Sequence, residues 1–195
     1  MLKDLVKKAR SYRRFDSSFE ISEESLIDIV DTARLTPSAA NRQPIKYMIS
    51  NEKEINDKIF PCLGWAGYLQ DWNGPAPSEQ PTGYIVLFAE MQFTPHLSVD
   101  PGIVAQTIML SAAEKGLGAC IIASIDKNKL KKLLNLAMEY EVILVVAIGK
   151  PREEIVLEEV GEDGAIKYWR DDAGVHHVPK RALEDVLFKV EVKNK

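Results

Sequence analysis

The sequence predicts an α+β fold: a central mixed β-sheet flanked by helices. Three observations carry that expectation. Tyr84–Ala89, Ala119–Ser124 and Val142–Ile148 are short, continuous apolar runs, the pattern of strands buried on both faces. Around them lie stretches with apolar residues at helical spacing and recognisable caps. Strands and helices also fail to alternate strictly, which argues against a doubly wound parallel sheet.

The elements follow in order. Leu2, Leu5, Val6 and Ala9 fall at i, i+3, i+4 and i+7, one face of an opening helix that ends near Arg10. A second helix starts at Ser22, a good N-cap, with Ile21 and Leu26 at the two staple positions. Leu26, Ile29, Val30 and Ala33 carry its stripe until Pro37 stops it. A short strand around Tyr47–Ser50 and a helix around Glu52–Phe60 come next. Residues 61–83 break the pattern, since Trp65, Tyr68, Trp72, four prolines and four glycines show little periodicity. Such a segment is either a lid or pocket wall, or a structural Ω-loop.

Beyond the strand Tyr84–Ala89, Asp100 caps a helix with Pro101 at its first position, running to Gly116–Gly118. Val104, Ile108, Ala112 and small neighbours make it apolar over a wide arc, as in a central or interface helix. The strand Ala119–Ser124, a short Lys-rich helix capped by Asp126 and the strand Val142–Ile148 follow. Lys167–Val178 reads as a hairpin turning at Asp172-Ala173-Gly174. Pro179 is expected to open a last helix through Phe188. The charged tail Lys189–Lys195 reads as an added edge strand, an arm that wraps the partner subunit, or a disordered terminus.

The chain, at 195 residues, is read as a single domain, 61–83 being its lid or wall segment. A net charge of −4 argues against a nucleic-acid partner, which needs a basic face. No apolar run reaches the roughly 20 residues of a membrane span, and no signal-peptide pattern opens the chain. The expected setting is cytoplasmic, with Cys62 and Cys120 as buried reduced thiols.

Several chemistries lack their motif. There is no GxGxxG: Gly116-Leu117-Gly118 follows a helix and precedes a strand, the reverse of a dinucleotide turn, and reads as a helix C-cap. P-loop, HExxH and GxSxG are absent. His96 stands alone, and His176-His177 point to opposite faces of a strand, so no metal site is expected. Neither cysteine has a histidine partner for nucleophilic catalysis, which leaves a bound cofactor as the source of reactivity.

Two segments stand out. Arg10-Ser11-Tyr12-Arg13-Arg14-Phe15 is a basic cluster with a hydroxyl, and Pro37-Ser38-Ala39-Ala40-Asn41-Arg42-Gln43-Pro44 is a polar loop pinned between prolines. Taken singly, the first also reads as a solvated basic helix end and the second as a polar turn. In combination, arginine-Ser-x-Arg followed by Pro-Ser-x-x-Asn-x-Gln-Pro resembles the flavin-binding signature of the nitroreductase family. Asp100 opening an apolar helix that leads into Lys115-Gly116-Leu117-Gly118-Ala119-Cys120 resembles that family's dimer-core helix and following strand. Val178-Pro179-Lys180-Arg181 resembles its C-terminal basic pair.

The resemblance implies an interlocked homodimer with FMN at the interface and NADH or NADPH as electron donor. Hydride passes to flavin N5 in ping-pong order, and a nitroaromatic, quinone or related small-molecule acceptor is then reduced. It places Arg10 and Ser11 at the phosphate and ribityl end and Arg13 at the pyrimidine edge. The loop Pro37, Ser38, Ala39, Asn41 and Gln43 comes from the opposite subunit. Backbone amides of Ala123 and Ser124 face N5 and O4, and Lys180 with Arg181 close on the phosphate. Trp65, Tyr68 and Trp72 stand where acceptor selectivity is decided. The chain departs from the pattern at Ala9, where relatives commonly carry a further basic residue. Two alternatives share the resemblance: a branch reaction on the same fold, reductive dehalogenation or flavin fragmentation, or a flavin-binding carrier or sensor without turnover.

Overall fold

A computed structural model of the chain describes residues 1–97 and 99–190, without the side chains of Pro95 and His96. The single domain expected from length is organised as two compact units, Met1–Arg152 and the residues from Glu153 onward.

In the first unit, helix α1 (Leu2–Lys8) leads into the short strand β1 (Phe15–Asp16). Helix α2 (Glu23–Arg34) starts where expected: Ser22 Oγ accepts from the Ser25 N–H, and Ile21 and Leu26 are both buried. Strand β2 (Lys46–Ser50), helix α3 (Lys53–Ile59) and strand β3 (Gly83–Glu90) follow. Helix α4 (Asp100–Glu114), strand β4 (Gly118–Ile122), helix α5 (Lys127–Leu133) and strand β5 (Tyr140–Pro151) complete the unit. Gly116, at φ +71, ends α4: its N–H bonds Ala113 O and that of Leu117 bonds Ala112 O, the paired closure of a left-handed cap.

Five strands form one sheet in the order β1-β5-β3-β2, with β4 also on β5. All its ladders are antiparallel, with one parallel bridge at its edge, Ser11 to Ala119. The period of two sorts side chains between its faces. Ile85, Leu87, Val146 and Ile148 meet Leu26, Ile29, Val104 and Ile108 from α2 and α4. Tyr84, Val86, Val145, Ala147 and Cys120 meet Ile59 and Leu130 from α3 and α5. A sheet covered on both faces explains why these strands read as unbroken apolar runs. Each fully buried Leu or Ile here contributes about 1.5–3 kcal/mol. Cys62 and Cys120 are free buried thiols in the second of these cores.

The second unit has its own three-stranded sheet of β6 (Ile155–Glu159), β7 (Trp169–Arg170) and β8 (His176–Lys180), ordered β6-β8-β7. The β6–β8 pair is parallel and the β7–β8 pair antiparallel, so mixed strand direction belongs to this sheet. The expected hairpin is present, turning through Asp171 to Gly174 at φ +83. Strand β6 had no counterpart in the sequence reading.

The expected helix from Pro179 to Phe188 is corrected to α6 (Leu183–Val186), because Pro179 is the partner of Glu158 in the β6–β8 ladder. The antiparallel partner β7 reaches only His176 and His177, so one edge of β8 is open at Pro179, where a missing N–H is tolerated. Of the tail, residues 191–195 lie outside the described residues.

Candidate functional site

The basic segment is laid against the start of β4. Ala9 is buried, Ser11 bridges Ala119, and the Tyr12 N–H donates to Ala119 O at 3.0 Å. A side chain on Gly118 would fall 2.8 Å from the Tyr12 ring, so a bare Cα is what lets the segment lie this close. Arg10 turns back on α1, donating from Nε to Ala9 O and from Nη2 to Val6 O, each at 2.9 Å. It therefore caps the carbonyl end of that helix. Arg13 Nη1 donates to Ser11 O at 3.1 Å.

The polar loop is held by a residue that sequence reasoning treated only as a helix cap. Asp100 lies in the first turn of α4, Val99 taking the cap position, and its carboxylate is turned to the loop instead. Ser38 Oγ donates to Asp100 Oδ2 at 2.6 Å and the Ala39 N–H to Oδ1 at 3.2 Å. Ser38 Oγ in turn accepts from the Gln43 N–H at 2.9 Å. Ala40, Asn41 and Gln43 all adopt positive φ, near +50°. Gln43 Nε2 donates to Asn41 Oδ1 at 3.1 Å, and both side chains are exposed. Ser38 and Gln43 also line a cleft of about 310 Å³ with Thr36, Tyr47 and Val104, where burial pushes the Tyr47 phenol up. Asp100 and Ser38 are 62 residues apart in sequence, so no local signal announced the pairing.

Strand β4 ends at Ile122, and Ala123 and Ser124 lie exposed just past it, although the apolar run was expected to carry the strand through Ser124. They adjoin the 61–83 segment. The Gly64 N–H donates to Ser124 O, Leu63 bridges Ile125, and the Asp126 N–H donates to Cys62 O. The far end of that segment is fixed as well, with Glu79 paired to Arg14 and Ser78 O accepting from Ser17 N–H and Arg152. Between these anchors, Trp65 stacks at a tilt on Phe60 and packs on the second core, closely approached by Gly74. Its buried indole N–H has no hydrogen-bond partner among the described residues. Tyr68 is exposed and Trp72 partly buried. Burial raises the pKa of the Cys62 thiol, which disfavours its nucleophilic form.

These groups do not converge within one chain. Ser11 stands just past the C-terminal end of α4 and Ser38 at its N-terminal end, and a helix of 15 residues is about 22 Å long. Ala123 and Ser124 follow the far end of β4, three strand spacings, or roughly 14 Å, across the sheet from β2. Arg10, Ser11 and Arg13 do share the β4 side of the sheet with Ala123 and Ser124. Lys180 and Arg181 are exposed at the end of β8 in the second unit. Among the described residues no group of three or more His, Cys, Asp or Glu could hold a metal ion, and no helix is long and apolar enough to cross a membrane.

Residues 6–67 and 69–150 match the Nitroreductase family. The chain belongs to that family. It is an oxidoreductase on that footing. The Bacillus subtilis (strain 168) protein YdgI, named as an NAD(P)H nitroreductase, is 24% identical over 185 residues, covering 77% of this chain and 88% of that one. An iodotyrosine deiodinase of Thermotoga neapolitana is 25% identical over 168 residues, covering 77% and 89%. Among solved structures, an FMN-dependent nitroreductase of Clostridium difficile R20291 superposes with a TM-score of 0.63 at 26% identity, covering 77% and 87%. The family match stops at residue 150, so both signature segments lie inside it and the second unit, with Lys180 and Arg181, lies outside.

Proposed function

We propose that the protein is an FMN-dependent NAD(P)H oxidoreductase that works as a homodimer. The observation that carries this reading is the placement of the two signature segments at opposite ends of α4. Groups meant for one planar ring cannot reach it from both ends of a helix about 22 Å long. A second copy related by a two-fold axis supplies the missing loop to each site. Leu2 and Val6 on α1 and Ile103 on α4 remain exposed in a single chain, apolar area that a second copy would cover.

The residues present fit FMN. Arg10 donates to neutral backbone carbonyls, partners that a phosphate replaces with charge-assisted bonds, and Arg13 donates to Ser11 O, a partner that the electron-rich pyrimidine edge of the flavin replaces. Ser11 adds an exposed hydroxyl beside them. Ala123 and Ser124 offer exposed backbone past the last ladder pair of β4. FMN held by these residues would supply the redox chemistry, hydride transfer from NADH or NADPH and then reduction of a nitroaromatic, quinone or related acceptor in ping-pong order. The chain's own work is to bind, orient and shield that ring. The relationship to an iodotyrosine deiodinase favours a second reading, reductive dehalogenation in the same pocket.

The test is an absorption spectrum of the purified protein before and after anaerobic NADH, then NADPH. Flavin bands that bleach support the oxidoreductase and identify its donor. A colourless protein that cannot be reconstituted with FMN overturns the reading. Sedimentation of a fully loaded monomer would remove the two-chain pocket, and product analysis with nitroaromatic and halophenol substrates separates the two reactions.

A further inference from the structure

We propose that Asp100 is the positioning residue that sets the shape of the Ser38–Gln43 loop, and through it the affinity for the cofactor. The inference rests on the reading above in one respect only, that this loop touches flavin. The Asp100 side chain belongs to a residue that is 5% exposed, and both carboxylate oxygens are engaged by the loop. Its Oδ2 accepts a hydrogen bond from the Ser38 hydroxyl, whose oxygen accepts in turn from the Gln43 N–H. Carboxylate, hydroxyl and amide thus form one relay that closes residues 38–43 into a ring.

That ring encloses backbone that would not hold itself. Ala40, Asn41 and Gln43 lie at φ +52, +52 and +49, none of them glycine. A left-handed residue with a side chain is disfavoured relative to the right-handed conformation, and three within four positions persist only where neighbours impose them. The local amide bonds, Asn41 N–H to Ser38 O and Arg42 N–H to Ala39 O, close the first turn. Among the described residues, the Asp100–Ser38–Gln43 hydrogen bonds tie the turn to the body of the protein and to its own far end. The charge also sits in the first turn of a 15-residue helix, where the dipole favours an anion.

Asn41 and Gln43 point from this backbone and bond each other. With the relay cut, the loop relaxes toward ordinary conformations, and a ligand must order it again on binding. The loss appears chiefly as faster dissociation.

The experiment uses the full-length protein with Asp100→Asn, Ser38→Ala and the double variant. FMN dissociation constants and off-rates are read alongside amide exchange of the apo-protein at Ala39, Asn41 and Gln43. Each single variant is expected to raise the Kd roughly five- to thirtyfold, the equivalent of one to two lost bonds of this kind. The double variant should be no weaker than the worse single, since both cut one relay. Exchange at the three amides should quicken in both singles. Should Asp100→Asn fail to fold, Ser38→Ala, at a partly buried loop position, carries the same two readouts. Unchanged amide protection in the singles, or effects on Kd that multiply in the double, overturns the role of Asp100. A wild-type chain that binds no FMN while its variants still lose protection sinks the flavin reading and leaves the relay standing.

Discussion

The two ends of α4 are built differently. At its C-terminal end, the Arg10–Arg13 segment lies against β4 through the Ser11–Ala119 bridge, the Tyr12 amide bond and the bare Cα of Gly118, and the Arg10 and Arg13 guanidinium groups donate to backbone carbonyls. At its N-terminal end, a buried carboxylate locks the Ser38–Gln43 loop into left-handed backbone. The first arrangement can be exchanged, since a neutral acceptor gives way to an anion with little reorganisation. The second is fixed before any ligand arrives. Affinity should therefore reside mainly in the arginines and geometry in the loop.

Arginine removal is the largest way to break that division. Arg13→Ala should raise the FMN Kd about 10- to 100-fold, the range of one charge-assisted bond. Apo stability should stay within about 0.5 kcal/mol, because Arg13 is a partly exposed residue outside the core. Fluorescence titration and urea unfolding measure the two, and equal FMN affinity would take Arg13 out of the site. A smaller effect, now on folding, is expected from Gly118→Ala. Its new methyl would meet Pro151 Cγ and the Tyr12 ring at 2.8 Å, an overpacking that costs roughly 1–3 kcal/mol. An unchanged urea midpoint would mean that Tyr12 yields freely and the segment is not anchored there. Smallest of the three is Ala40→Gly. Relief of the left-handed strain is offset by a more flexible unfolded chain, so stability should move by less than about 0.5 kcal/mol. A loss well beyond that would show that the Ala40 methyl makes contacts of its own.

Much of this was legible in the sequence where the signal was local. Ser22, Asp126 and Gly116 mark helix ends because each satisfies backbone groups within a few residues. The apolar runs of β3, β4 and β5 announced a doubly covered sheet because alternate residues feed two cores. Legibility failed where partners are distant. Asp100 read as a cap, since nothing nearby reveals a hydroxyl 62 residues away. Pro179 read as a helix start because its strand partner, Glu158, is equally invisible from its neighbours. With that correction Lys180 ends a strand, and it and Arg181 remain exposed. Arg10 shows the reverse case. The solvated helix-end reading describes how it sits in the chain alone, and the resemblance describes what it can be exchanged for.

A third polar device, within the second unit, sharpens the contrast by depending on pH. The His177 ring stacks on Trp169 at 4.1 Å, with Nδ1 3.1 Å from Glu158 and Nε2 3.4 Å from Asp171. Burial pulls its pKa down, but the hydrogen bonds and charges of the two carboxylates outweigh that and leave it raised above its ordinary value. A raised histidine contributes its stabilisation fully below the unfolded pKa, near 6.5, and loses it as pH climbs through the folded value. Asp171 runs the other way. Burial raises it, yet the Val175 N–H and His177 hold it below its usual range, so its share is lost as pH falls through that lowered value. The clamp joining β6, β7 and β8 is therefore tightest in mild acid and loosens as pH rises through the raised His177 value. An NMR titration should place the His177 midpoint above that of an ordinary histidine, and amide exchange in β7 and β8 should quicken as the ring deprotonates. His177→Gln should abolish that pH dependence. The Asp100 relay, whose donors are a hydroxyl and an amide, has no partner that titrates in this range, so the exchange of Ala39 and Gln43, corrected for intrinsic base catalysis, should stay level. Equal pH dependence in both places would mean that the loop at α4 is held by something other than the bonds described.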